Sequence, residues 1–128
     1  MSSEIRIIAT DSAAMPLGHY SQAVVHNGTV YLATQLGIDP VNPNAEIGSV
    51  TIQTERALKN VSEILRAAGS ELSRVLRVTV YVSDIMHWDE VNVVYSRIFA
   101  DHRPARGVIP CNTLHRGYQV ALEVIAAV

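Results

Sequence analysis

The sequence predicts an α+β fold: one sheet of about six strands with two helices packed on one face. Three observations carry this. Two stretches repeat apolar residues at spacings of three and four, several shorter runs are β-branched or alternate in polarity, and together they read β-β-β-α-β-α-β-β. The 128 residues suit a single domain spanning 1–128. A chain of this size buries roughly two-thirds of its unfolded surface and needs no staples.

Taken in order, Ile5 to Ile8 is a short first strand. Tyr20 to Val25 and Thr29 to Ala33 are apolar runs around His26-Asn27-Gly28. Asn-Gly between such runs predicts a hairpin, because both residues tolerate positive φ. Residues 36–50, with Gly37, Pro40, Pro43 and Gly48, read as a loop. From Thr51 the period changes: Ala57, Val61, Ile64, Leu65 and Ala68 form the apolar stripe of an amphipathic helix, and Gly69 stands at its stop. Val75 to Val82 is a long strand, with Val78, Val80 and Val82 alternating with Arg77, Thr79 and Tyr81. A second helix carries Trp88, Val91, Val94, Tyr95, Ile98 and Phe99 on one stripe and ends before Pro104. Arg106 to Cys111 and Gln119 to Ala127 complete the strands. With both helices on one face, the other face needs cover. The apolar strands point to further copies of the chain, in a small symmetric oligomer.

Composition narrows the function classes. Apolar residues make up 48% and charged residues 17%, a globular balance. The net charge of -2, without a basic run, leaves no electrostatic footprint for nucleic acid. No basic segment followed by an apolar one opens the chain, and no apolar run approaches ~20 residues, so neither a signal peptide nor a membrane span is expected. One cysteine, Cys111, excludes an intramolecular disulfide and fits a reducing, cytoplasmic setting. The histidines His19, His26, His87, His102 and His115 are scattered and no cysteine pair exists, so no metal and no cofactor are expected.

The leading functional residue is Arg106, at a strand start directly after Pro104-Ala105. A guanidinium offers a planar fork of donors that matches a carboxylate, and the preceding proline stiffens its approach. On spacing alone a surface ion pair, the usual fate of an arginine, is the commoner explanation. Tyr31, Tyr81 and Tyr95 are expected in the core, and Cys111 as a buried packing thiol. Trp88 reads as half core and half interface. Tyr118, before the last strand, reads as a pocket residue. Asp84, Asp89 and Glu90 read as helix-start acids favoured by the helix dipole.

Several segments together resemble the RidA (YjgF) family. Pro16-Leu17-Gly18-His19-Tyr20-Ser21-Gln22-Ala23 is similar to its P-x-G-P-Y-S-Q-A, and Asn27-Gly28 through Ala33-Thr34-Gln35 to its hairpin and S-G-Q turn. Thr54, Leu58, Asn60 and Ala68-Gly69 follow, then Val80-Tyr81-Val82-Ser83-Asp84, Trp88 through Phe99, Pro104-Ala105-Arg106 and Glu123 to Ala126. The resemblance covers roughly residues 16–126. It implies a chorismate-mutase-like fold and a homotrimer with three intersubunit clefts. It also implies hydrolysis of small 2-imino or enamino acids to 2-keto acids and ammonia. By the same resemblance, Arg106 grips the substrate carboxylate, Tyr20 and the Ala33-Thr34 turn line the cleft and Val108 offers backbone contacts; by their positions in the chain, Trp88 and Tyr118 are further candidates to line it.

The departures bear on the chemistry. The resemblance implies a water-activating glutamate on the last strand, and counting from Arg106 that position is Ala121. Glu123 shares Ala121's face but lies about 7 Å along the strand. The family's Ser-Gly pair is Ala33-Thr34 here, and histidine replaces proline at His19 and His115. His19, His115 and Glu123 are therefore the candidates for proton transfer. Three readings follow: a RidA-like imine deaminase, a specialised pathway deaminase for a different imine or enamine, and a module that binds a small carboxylate without turnover.

Overall fold

The computed structural model describes residues 4–128. Its strands are β1 (Arg6–Ile8), β2 (Ala23–His26), β3 (Thr29–Leu32), β4 (Gln35–Leu36), β5 (Val75–Val82), β6 (Ala105–Pro110) and β7 (Val120–Ala127). The helices are α1 (Val50–Ala67), after β4, and α2 (Trp88–Phe99), between β5 and β6. All strands join one sheet in the order β1-β2-β3-β7-β5-β6, with β4 pairing β7 beside the end of β3. Every pairing is antiparallel except β5–β6, which α2 connects as a crossover. The expected architecture is therefore present, with one strand added.

The core lies between the sheet and the helices. Val78, Val80 and Val82 of β5 and Val120, Leu122, Val124 and Ala126 of β7 meet Leu58, Val61, Ile64 and Leu65 of α1 and Val91, Val94 and Phe99 of α2. The opposite, open face shows Ile7, Val24, Tyr31, Ile125 and Arg77, aligned across five strands by register. Alternation alone sends these residues outward.

The turn chemistry is local. His26 pairs with Thr29, so Asn27-Gly28 is the whole hairpin loop, with φ of 49° and 78°. β2 begins at Ala23 rather than Tyr20, where its pairing with β1 and β3 starts. The loop expected over 36–50 runs over 37–49, because Leu36 ends β4 and Val50 opens α1. A two-residue strand is too short to show a period. Ser49 caps α1 by accepting from the Ile52 amide. At the other end Gly69 takes φ 84°, and the Gly69 and Ser70 amides donate to Arg66 and Leu65, closing the helix.

Two expectations for the core are corrected. Tyr31 is 45% exposed and Tyr81 half-buried, because both fall on the open face; only Tyr95 is in the core. Cys111 is half-buried just beyond β6, with its backbone amide donating to Val82.

Glu90 does more than sit at a helix start. From the first turn of α2 it accepts from both the amide and the hydroxyl of Thr51, at 2.8 and 2.7 Å, so it also caps α1. The Thr51 hydroxyl and then its amide hold the Glu90 carboxyl below its ordinary pKa. A lowered pKa contributes stability above the ordinary carboxylate range, and that stability is lost as pH falls through the lowered value. Glu90→Gln should therefore lower Tm at neutral pH. The gap to the parent should close in acid, as thermal melts across a pH series would show.

Candidate functional site

Arg106 lies on β6, an edge of the sheet. Its Cα partner is Val78, so its side chain turns toward the helices. There the guanidinium carbon sits 4.6 Å from the Trp88 ring centroid and 4.8 Å from that of Tyr95, and one nitrogen donates to Asn92 Oδ1 at 3.0 Å. Trp88, Asn92 and Tyr95 are spaced four and three along α2 and so share one stripe. The two rings and the amide fix the fork's direction. Among the described residues Arg106 meets no carboxylate. A groove of about 430 Å³ opens beside it, bounded by Ser96, Phe99, His102 and Arg103. The Tyr95 hydroxyl lies in that wall, buried beside the Arg106 guanidinium. Burial pushes its pKa up, and the adjacent Arg106 charge opposes the shift.

A second cleft, of about 470 Å³, lies on the open-face side. Leu36 pairs with Ala121 across β4 and β7, and these two form its floor. Ala33 and Thr34 form one wall, Leu17, Gly18 and Tyr20 a second, and Leu114 and His115 a third. Most of this lining is apolar. Tyr20 is held in its turn by accepting the Leu17 amide at its hydroxyl, 3.0 Å away. His115 begins a tight turn through Arg116 and Gly117, both at positive φ, and the buried Tyr118 closes it, its amide donating to the His115 carbonyl.

Buried amides hold these walls. Gln22 accepts from the Thr10 amide and donates to the carbonyls of Thr10 and Ala14. Asn60 of α1 accepts from the Ala14 amide and donates to the carbonyls of Leu36 and Ile38. Gln53 accepts the Gln119 amide at the start of β7 and donates to its side chain.

The candidate residues do not all come together in one chain. Tyr20, Ala33, Thr34, His115 and Ala121 share the second cleft. Arg106 and Trp88 lie apart from it, because Arg106 pairs with Val78 on the helix side while Ala121 pairs with Tyr81 on the open side. Val108 is partly buried against the core. Tyr118 is 4% exposed and packs with Ala14 and Ile38 beneath the second cleft rather than lining it. His19 is exposed and outside the lining. Glu123 faces a different groove beside Tyr31 and Arg77, where it accepts from the Tyr81 hydroxyl at 3.2 Å. Sequence reasoning missed the parts of Asn92 and Tyr95 in holding Arg106, although their spacing with Trp88 carries the signal. It also missed Leu17 and Leu114, which come from separate loops, and Leu36, which lies on a two-residue strand; none of the three leaves a signal.

Among the described residues no three His, Cys, Asp or Glu side chains gather as a metal site, and no helix is long and apolar enough to cross a membrane. The fold and its clefts define a small α+β protein of a single mixed sheet and two helices, with concave sites sized for small molecules. The family model described as Endoribonuclease L-PSP matches residues 10–128, and the chain belongs to that family, in agreement with the RidA resemblance. The human protein named 2-iminobutanoate/2-iminopropanoate deaminase is 38% identical over 98% of this chain and 93% of its own length. A crystal structure from Thermotoga maritima superposes with a TM-score of 0.92 at 39% identity, covering 96% of this chain and 97% of that one. That of E. coli TdcF with bound serine gives 0.91 at 27%, covering 96% and 98%.

Proposed function

We propose that this protein deaminates small 2-imino or enamino acids by hydrolysis, releasing 2-keto acids and ammonia, with the substrate carboxylate held by Arg106. The single observation that carries this is a guanidinium fixed by Trp88, Tyr95 and Asn92 yet free of any carboxylate among the described residues. A carboxylate would complete it with two charge-assisted bonds. The name of the human relative and the serine bound to TdcF, itself a small carboxylate, support the reading.

The site is completed between copies of the chain. Arg106 faces the helices and the Tyr20–Ala121 cleft faces the open side, so a second copy must bring its cleft to the first copy's arginine. The open face, with exposed Ile7, Tyr31 and Ile109, is the surface such copies would cover. A homotrimer with three equivalent clefts, working in the cytoplasm, is the assembly proposed. Sedimentation at three times the 14.0 kDa chain mass is the expected result.

Ala121 favours a second reading, in which the cleft binds a small keto acid without turnover, or a third, in which it serves a different imine or enamine. Generating 2-iminopropanoate or 2-iminobutanoate in the presence of semicarbazide, which competes for the imine, separates them. Faster appearance of keto acid with protein supports the deaminase. No acceleration at any protein concentration overturns it, and 2-ketobutyrate binding without acceleration favours the binding module.

A further inference from the structure

We infer that His115 is the group that moves protons at the reacting carbon. The inference rests on the deaminase reading above and names the base that this chain uses. Hydrolysis needs a group that takes a proton from water and later returns one to nitrogen. The cleft containing Ala121 offers three side chains with a polar atom, Thr34, Tyr20 and His115, and the aliphatic hydroxyl of Thr34 is too weak a base to take the proton. The floor, Leu36 and Ala121, carries no side-chain polar atom. The Tyr20 hydroxyl already accepts the Leu17 amide, so its remaining capacity is chiefly to donate, which suits holding a substrate or water. The other proton-transfer candidates point elsewhere: His19 is not in the lining, and Glu123 is engaged by Tyr81 in a separate groove.

The backbone that carries His115 is fixed. Its turn is set by backbone bonds from Gly117 to Leu114 and from Tyr118 to His115, and it is anchored by the buried Tyr118. Tyr20 is the other titratable side chain in the cleft lining, and Arg116 is the charged group in the turn of His115; β4 and β7 present Leu36 and Ala121, which are uncharged.

The step balances as follows. A water oxygen bonds to the carbon of the protonated imine as the C=N π pair moves to nitrogen, and His115 takes a proton from that water. The result is a neutral carbinolamine and an imidazolium. The imidazolium returns the proton to nitrogen. The C–N bond then breaks with its pair leaving on ammonia, the C=O bond forms from the O–H pair, and the imidazole takes that last proton. Released to solvent or ammonia, that proton completes the overall change of iminium and water into ketone and ammonium.

The test compares the parent, His115→Gln and His115→Gln/Ala121→Glu as full-length assemblies, with sedimentation and circular dichroism confirming the fold. His115→Gln should lower kcat at least ~100-fold with KM little changed, because proton transfer rather than carboxylate capture is lost. The parent's fall in rate at low pH should be absent in His115→Gln, because the variant has no imidazole to carry the proton. The double variant, with a carboxylate restored to the cleft floor, should recover part of kcat. A His115→Gln rate within a few-fold of the parent overturns the inference while leaving the deaminase reading intact. So does a loss of rate that retains the parent's pH profile. A parent that does not hydrolyse the imine overturns both.

Discussion

Arg106→Ala should lower kcat/KM for a 2-imino acid at least ~100-fold while leaving the assembly folded. Each charge-assisted hydrogen bond to a carboxylate contributes about 1.5–3 kcal/mol, so losing both exceeds the ~2.7 kcal/mol that a hundredfold requires. The cost to the fold is small. Arg106 is exposed on an edge strand and lends α2 only its stacking on Trp88 and Tyr95 and one bond to Asn92. An exposed cation–π contact contributes about 0.5–1 kcal/mol. Arg106→Lys should fall between, since an ammonium keeps the charge but cannot grip both oxygens as a fork. Steady-state kinetics with in-situ imine, beside thermal melts, measure both halves. A folded Arg106→Ala that keeps the parent's kcat/KM contradicts the assignment.

Asn60→Ala should be the most damaging of the scaffold changes, at about 3–5 kcal/mol. Asn60 is 1% exposed and satisfies three backbone groups: the Ala14 amide and the carbonyls of Leu36 and Ile38. Truncation leaves all three short of a partner, and each buried orphan costs about 1–3 kcal/mol unless water enters. For a domain of this length the expected drop in Tm is about 10–20 °C. The neighbouring exposed Lys59→Ala should stay within about 0.5 kcal/mol of the parent, which isolates the hydrogen bonds as the cause. Because Asn60 holds the Leu36 carbonyl, its loss also loosens the cleft floor, so affinity should weaken even below the melting range.

The same residues explain what could be read in advance. α1, α2, β5 and β7 repeat their apolar residues often enough for the period to show, and Asn27-Gly28 marks its own turn by the φ it must adopt. β4 has two residues and no period, yet its pairing with β7 places Leu36 beside Ala121. Tyr31 and Tyr81 were misjudged because aromatic content suggests burial, whereas alternation along the strand decides the face. At the site, the motif order led to Arg106, Tyr20 and the Ala33-Thr34 turn. Only the register places Arg106 and Ala121 on opposite faces. No periodicity along one chain contains that relation, because it depends on how strands far apart in sequence are paired.

The most direct measurement of the central proposal, a site made of Arg106 from one copy and the cleft of another, is subunit complementation. Arg106→Ala removes the anchor, and Thr34→Trp fills the cleft at an exposed wall position. Each variant alone should be inactive. Assembled together in equal amounts, they should regain activity at about a quarter of the parent's sites, because a chain with an intact arginine then meets a chain with an open cleft. Mixed assemblies that form and stay inactive would contradict the account, as they would mean that arginine and cleft serve the reaction from within one chain.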